Sequence, residues 1–142
     1  MNSSIVSIGV SNPGKPISQS EISRFMQIAH QLDELESRKL QFFYRMSGID
    51  YRYSVLDDFE KKDPEDFSFF PKSKDLHPFP GTKARMQVFQ KEAPRLALEA
   101  SESALDQAQI PAKEVTQLVL VSCTGMVAPG VELELVQHLG LD

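Results

Sequence analysis

Three observations predict an α/β fold with mostly parallel core strands and helices packed on them. A short β-branched run, Ser4–Val10, stops at Ser11-Asn12-Pro13-Gly14, a turn cluster that no strand or helix can run through. A nearly continuous apolar run, Leu118–Cys123, is bounded by polar residues and Gly125, which is how a strand buried on both faces reads. The stretches between and after these runs carry the i, i+3, i+4, i+7 spacing of amphipathic helices.

The elements follow in order. Ser18 and Glu21 form a capping box, in which hydroxyl and carboxylate satisfy the free N–H groups of a helix start. Behind it Ile22, Phe25, Met26 and Ala29 share one helical face. A second helix, about Glu34 to Ser47, carries Leu40, Phe43 and Met46; Gly48 can close it in the left-handed conformation, with Ile49 packing back. Tyr51–Leu56 is a candidate third strand. Residues 57–81 form a long loop containing Pro64, Pro71, Pro78 and Pro80 and five phenylalanines, Phe59, Phe67, Phe69, Phe70 and Phe79. So many rings predict a loop lying against a surface, one supplied by another subunit or by a further part of the chain. Thr82 caps a long helix to about Gln109, with Pro94 either kinking it or opening a second helix as its first residue. The Ala93, Ala97, Ala100, Ala104 face would let another backbone approach closely. Pro111 and Glu114 make a short connector. Val131, Leu135, Val136 and Leu139 form the apolar face of a last helix, ended by Gly140.

Composition restricts the functions available. The chain has 142 residues, 20 acidic against 15 basic side chains and 41% hydrophobic residues, enough for one ordinary domain with a core. A net charge of −5 leaves no basic face for a nucleic acid or an anionic membrane, so neither is expected as a partner. No apolar stretch approaches the roughly 20 residues of a membrane helix. Met1–Val10 has no Lys or Arg before its apolar run and reads as a strand, not a signal peptide. The single cysteine, Cys123, cannot form an intramolecular disulfide, which favours a reducing compartment, the cytoplasm. A doubly covered strand needs neighbours on each edge, yet only two firm strands are present. The chain therefore reads as part of a larger fold, stopping at Asp142 where an α/β chain would go on to its next strand.

Few residues offer chemistry. Cys123 is first a packing thiol, then a pocket-lining thiol, and last a nucleophile, because the next helix begins several residues on and no histidine is near it in sequence. His30, His77, His138 and Cys123 are too few and too scattered for a metal site. The acidic run Asp57, Asp58, Glu60, Asp63, Glu65, Asp66, interleaved with Lys61 and Lys62, reads as a solvated loop before it reads as a carboxylate pair for acid/base work. Gly125 and Gly130 flank a turn but lack the Lys-Ser/Thr of a phosphate-binding loop. Arg38, Lys39 and Arg45 share the second helix; a solvated face is the default, a loose anion-binding patch the alternative.

The segment VTQLVLVSCTGMVAPGVELELVQHLGL, Val115–Leu141, resembles the core strand, Pro-Gly turn and helix of type III polyketide synthases, the chalcone synthase-like family. Ile5–Glu21 is similar to the family's first strand and loop, Ser47–Leu56 to its Ile-x-x-Arg-Tyr element, and Glu92–Leu105 to its Pro-containing helix. The resemblance covers nearly the whole chain, residues 1–142, and is most specific at Ser122–Gly130.

It implies the N-terminal part of a thiolase-like fold, in a dimeric enzyme that loads an acyl group from a CoA thioester onto a cysteine and extends it with malonyl-CoA. The family's nucleophilic Cys, its His and its Asn would lie past Asp142, so no catalytic residue is expected here and the chain alone should be inactive. By the same resemblance Cys123, its neighbour Thr124, and Ala128 line the substrate pocket, Ala128 standing where plant enzymes carry a Met. Lys39 matches one of three residues that hold the CoA phosphates; the other two positions are Phe42 and Met46, and Arg45 could supply a charge. No metal and no cofactor beyond the CoA thioester substrates is implied. Two other readings are a ketoacyl-synthase III-like condensing enzyme, against which the Gly-x-x-Ala-Pro-Gly turn argues, and a non-catalytic module that dimerises or docks on a complete synthase.

Overall fold

The computed structural model describes residues 3–141. They divide into two compact units, Pro13–Gly81 and the N-terminal segment to Asn12 together with the chain from Thr82 onward.

In the first unit, strand β1 (Ile17–Ser18) leads directly into helix α1 (Gln19–Ala29), then helix α2 (Glu34–Met46), and strand β2 (Tyr51–Arg52) returns antiparallel beside β1. The capping box expected at α1 is formed: the Ser18 hydroxyl accepts the Glu21 N–H at 3.2 Å and the Glu21 carboxylate accepts the Ser18 N–H at 3.0 Å. The Ser18 hydroxyl also lies 2.7 Å from the Glu21 carboxylate, and this hydrogen bond, with the one from the Ser18 N–H, holds the Glu21 carboxyl below its ordinary range. A second capping box, Asp33 with Glu36, starts α2. Its Asp-x-x-Glu spacing is plain in the sequence and was open to the same argument.

Helix α1 buries Phe25 and Ala29, and the long loop closes over them. Phe25 is the centre of an aromatic cluster, with ring centroids 4.6 Å from Phe59, 4.9 Å from Phe70 and 5.6 Å from Phe67. Leu76 is fully buried in the same core. The surface that receives the loop is thus α1 of the same unit, not another subunit or an outside segment. Two 3-10 turns, Asp57–Glu60 and Pro64–Asp66, shape the loop.

The acidic run is not uniformly solvated, because Asp58 is 0% exposed. Its carboxylate accepts the Ser68 N–H at 2.8 Å, the Ser68 hydroxyl at 2.8 Å, the Phe69 N–H at 2.9 Å and the Phe70 N–H at 2.7 Å. Burial by itself raises a carboxyl pKa, but here the hydrogen bonds to the ionised form outweigh it, and the value lies below the ordinary 3.8.

In the second unit, helix α3 (Thr82–Ala108) runs unbroken past Pro94, and helix α4 (Val131–Leu139) packs on it through Val131 and Leu135, both buried. Gly140, at φ 63°, ends α4 in the left-handed conformation, as its position implied. The small-residue face of α3 receives the N-terminal segment: the Ser7 hydroxyl donates to the Ala104 carbonyl at 2.7 Å and the Ser11 hydroxyl to the Glu99 carboxylate at 2.6 Å. Between them Gly9 lies directly on the backbone of Ala100 and Ala104, an approach that a Cβ would block.

Two sequence expectations are corrected. Ser4–Val10 and Leu118–Cys123 form no strand pairing among the described residues, where the only ladder is the β1–β2 pair. Nor is the second run covered on both faces, since Val119 is 71% and Val121 87% exposed. A strand is defined by its neighbours, and none stands beside either run here. Among the described residues no helix is long and apolar enough to cross a membrane.

Asp58→Ala leaves three part-buried amides and a hydroxyl without their acceptor. At roughly 1.5–3 kcal/mol per charged hydrogen bond, with incomplete additivity, a loss of about 3 kcal/mol or more is expected in urea denaturation. Because the folded-state pKa of Asp58 lies below the unfolded value, ionisation contributes stability above about pH 4, a contribution lost as pH falls through the folded value. Asp58→Asn should therefore flatten that acid limb of the stability–pH curve. Gly9→Val should lower stability by about 1–3 kcal/mol through backbone overlap, whereas Gly81→Val, with open space at Cβ, should leave the melting midpoint nearly unchanged.

Candidate functional site

The turn Ser122–Gly130 is fastened to the first half of α3. The Ser122 hydroxyl accepts the Gly125 N–H at 3.0 Å, Gly125 lies against the ring of Phe89 where a Cβ would not fit, and the Met126 N–H donates to Met86 Sδ at 3.4 Å. Val131 then buries the start of α4. The turn is held at both ends by α3 and α4, and what it presents between them is open.

Cys123, Thr124 and Ala128 are all exposed on this turn. Cys123 is not the packed thiol that the sequence suggests, because the apolar run it ends is uncovered. Among the described residues no side chain hydrogen-bonds or ion-pairs with Cys123. The three residues share a short stretch of chain but enclose no cavity by themselves.

Helix α2 separates the two basic residues expected to act together. Leu35, Lys39, Phe42 and Met46 follow one another at helical spacing along one side, with Leu35 61%, Phe42 52% and Met46 68% exposed. Arg38 is engaged by Glu34 one turn before it. Arg45 falls elsewhere on the helix, with Gln41 and Tyr44, and lines a cleft that Lys39 does not reach. Lys39 and Arg45 thus serve different surfaces.

That cleft, about 660 Å³, lies between α1, α2 and the β1–β2 pair. Its polar walls include Gln19, Arg24, Gln27, Gln41, Arg45 and Asp50. The Gln19 N–H donates to the Asp50 carbonyl at 2.8 Å, pinning the start of α1 to the segment before β2. Arg24 Nη2 donates to the Lys61 carbonyl at 3.3 Å, while Arg24 Nε and Gln19 Oε1 are buried without a partner. Sequence reasoning passed over Gln19 and Arg24. Both lie on the polar side of α1 in the sequence, and only the packing of α2 and β2 makes that side an interior wall. No group of His, Cys, Asp and Glu among the described residues could hold a metal ion.

Comparison with known proteins relates this arrangement to a family. The chain is 30% identical over 139 residues to bisdemethoxycurcumin synthase of Oryza sativa subsp. japonica, covering 96% of this chain and 33% of that protein. It is equally 30% identical over 139 residues to the alpha-pyrone synthesis polyketide synthase-like Pks18 of Mycobacterium tuberculosis, covering 96% of this chain and 32% of that one. The chain thus spans about a third of the length of the curated relatives it matches. Among solved structures, PKS-I from the brown alga Ectocarpus siliculosus superposes with a TM-score of 0.79 at 27% identity, over 96% of this chain and 36% of that one. CsyB, solved with CoA-SH, superposes with a TM-score of 0.69 at 25% identity, over 98% of this chain and 34% of that one. These neighbours carry the thiolase-like fold expected from the sequence, of which this chain matches the helical N-terminal portion. Residues 2–142 match the family of chalcone and stilbene synthases, N-terminal domain, and the chain belongs to it.

Proposed function

We propose that this chain is the N-terminal part of a type III polyketide synthase, an acyltransferase that condenses an acyl-CoA starter with malonyl-CoA. The observation that carries the reading is the family match across residues 2–142, with 30% identity to two polyketide-forming relatives over 96% of the chain. In this reading the chain supplies scaffold and pocket wall, and the nucleophile and its partners come from the other two-thirds of the synthase. Cys123, Thr124 and Ala128 face substrate once that remainder is in place. Their openness here supports the assignment, since a wall residue needs an exposed face on the side where the opposing wall will stand. The CsyB complex shows that a structurally similar protein binds CoA.

The α2 surface bears on how CoA is held. With Phe42 and Met46 at two of the three positions matched to phosphate contacts, Lys39 is the one basic residue left on that side of the helix. A weaker hold on free CoA follows, because phosphate affinity rests on charge and on donor geometry.

A second reading, a module that dimerises or docks without turnover, is favoured by the exposed apolar residues. Ile5 at 82%, Val121 at 87% and Met126 at 83% exposure leave apolar surface that a soluble protein covers by association. The two readings agree on homodimerisation and differ on chemistry.

The test is to incubate purified 1–142, and separately the product of the complete reading frame around it, with hexanoyl-CoA and malonyl-CoA. The isolated chain should release no CO₂ and form no acyl-enzyme, whereas the complete product should release CO₂ and yield a polyketide. A thioester on Cys123 detected by mass spectrometry would overturn its role as pocket wall, and an inactive complete product would favour the docking module. In light scattering the mass of 1–142 should rise with concentration above the 15.9 kDa monomer. A constant monomeric mass would remove the argument for association.

A further inference from the structure

We propose that Met86 and Phe89 on α3 are positioning residues: they set where the turn Ser122–Gly130 stands, and through it which acyl-CoA starters a synthase built on this chain accepts. The inference rests on the reading of Thr124 and Ala128 as pocket wall. Neither Met86 nor Phe89 is matched to the pocket itself, and both act through the turn, not on substrate.

The turn's internal hydrogen bond does not fix its place. The Ser122 hydroxyl accepts the Gly125 N–H at 3.0 Å, a bond that closes the chain on itself and would travel with the turn. Two contacts tie adjacent residues of the turn to the helix. The Met126 N–H donates to Met86 Sδ at 3.4 Å, and Gly125 lies so close to the Phe89 ring that a Cβ would overlap it. Met86 and Phe89 are three residues apart, hence neighbours on one side of α3, and both are half-buried. A thioether is a weak acceptor, so the sulfur directs the Met126 amide while the ring acts as the steric stop. Further along α3, Lys91, Pro94, Arg95 and Leu98 line a separate cleft with Glu134, Leu135 and His138 of α4. One stretch of the helix thus holds the turn and the next holds α4.

Gly125 shows that the constraint is one of space. Its φ is not positive, so its backbone conformation admits an alanine, and only the Phe89 ring excludes one. Thr124 directly precedes Gly125, and Ala128 follows Met126 by two residues; both are exposed. A wall held through such neighbours moves when their support changes, and a displacement of about 1 Å in a group that positions substrate alters rates on the order of 100-fold.

The product of the complete reading frame is assayed with hexanoyl-CoA and with acetyl-CoA as starter, and the ratio of the two kcat/KM values is compared among variants. Phe89→Ala and Gly125→Ala should each change that ratio fivefold or more. The double variant should lie closer to the unsubstituted protein than either single one, because the new methyl enters space the ring has left. Leu98→Ala, elsewhere on α3, should leave the ratio within twofold while lowering the melting temperature, since loss of packing alone does not favour one starter. In ¹⁵N-labelled 1–142, Met86→Leu keeps the side chain's size but removes the acceptor, and the Met126 amide should exchange with solvent at least fivefold faster. The spectrum of each variant of 1–142 reports its folding. An unchanged ratio in Phe89→Ala, an equal change in Leu98→Ala, or unchanged exchange at Met126 overturns the proposal. A complete product inactive with both starters overturns the pocket-wall reading and the starter preference with it; exchange at Met126 then still decides whether α3 holds the turn.

Discussion

The first unit depends on one buried carboxylate. Segment 57–81 has almost no regular structure, and a chain of that kind must satisfy its own backbone groups if it is to cover a core. Asp58 does this for three consecutive residues, Ser68, Phe69 and Phe70, whose amides all turn to it. With those amides fixed, Phe67 and Phe70 point at Phe25, and the loop becomes the lid of the α1 core. Charge and apolar packing act together: the rings exclude water from the carboxylate, and the carboxylate fixes the backbone that aims the rings. Isolated burial of such an ion would cost several kcal/mol, and its hydrogen bonds offset that cost.

The second unit is organised by closeness of backbone. Alanines along α3 leave a shallow face, and Gly9 seats the N-terminal segment on it, tied by the Ser7 and Ser11 hydroxyls. The same helix holds the turn Ser122–Gly130 through Met86 and Phe89. Two apolar segments from opposite ends of the chain are therefore both fastened to this unit while their side chains stay open. In the related structures this chain corresponds to roughly a third of the protein.

Helix α2 presents two surfaces of different chemistry. On one, apolar Leu35, Phe42 and Met46 surround Lys39; on the other, Gln41 and Arg45 face Gln19 and Arg24 across a cleft. Charges that look interchangeable in a linear reading are thereby assigned to separate tasks. The helical turn alone accounts for this, since residues six apart project from different sides of a cylinder with 3.6 residues per turn.

Much of the local structure was readable from residues close together in the chain. The Ser18–Glu21 cap, the four helices, the left-handed Gly140 and the close approach allowed by Ala100 and Ala104 each depend on interactions within a few residues, or on side-chain size at one position. Family membership was also legible, because the Ser122–Gly130 turn keeps its residue pattern whether or not its strand has partners. The burial of Asp58, the wall formed by Gln19 and Arg24, and the exposure of Cys123 were not legible. Each depends on which distant segment arrives beside the residue: an acidic run looks solvated until amides ten to twelve residues later turn towards it, and an apolar run looks buried until no neighbour comes to cover it. Short-range order is written in periodicity and capping, whereas burial is a property of the assembled surroundings, and only the three-dimensional packing supplies those.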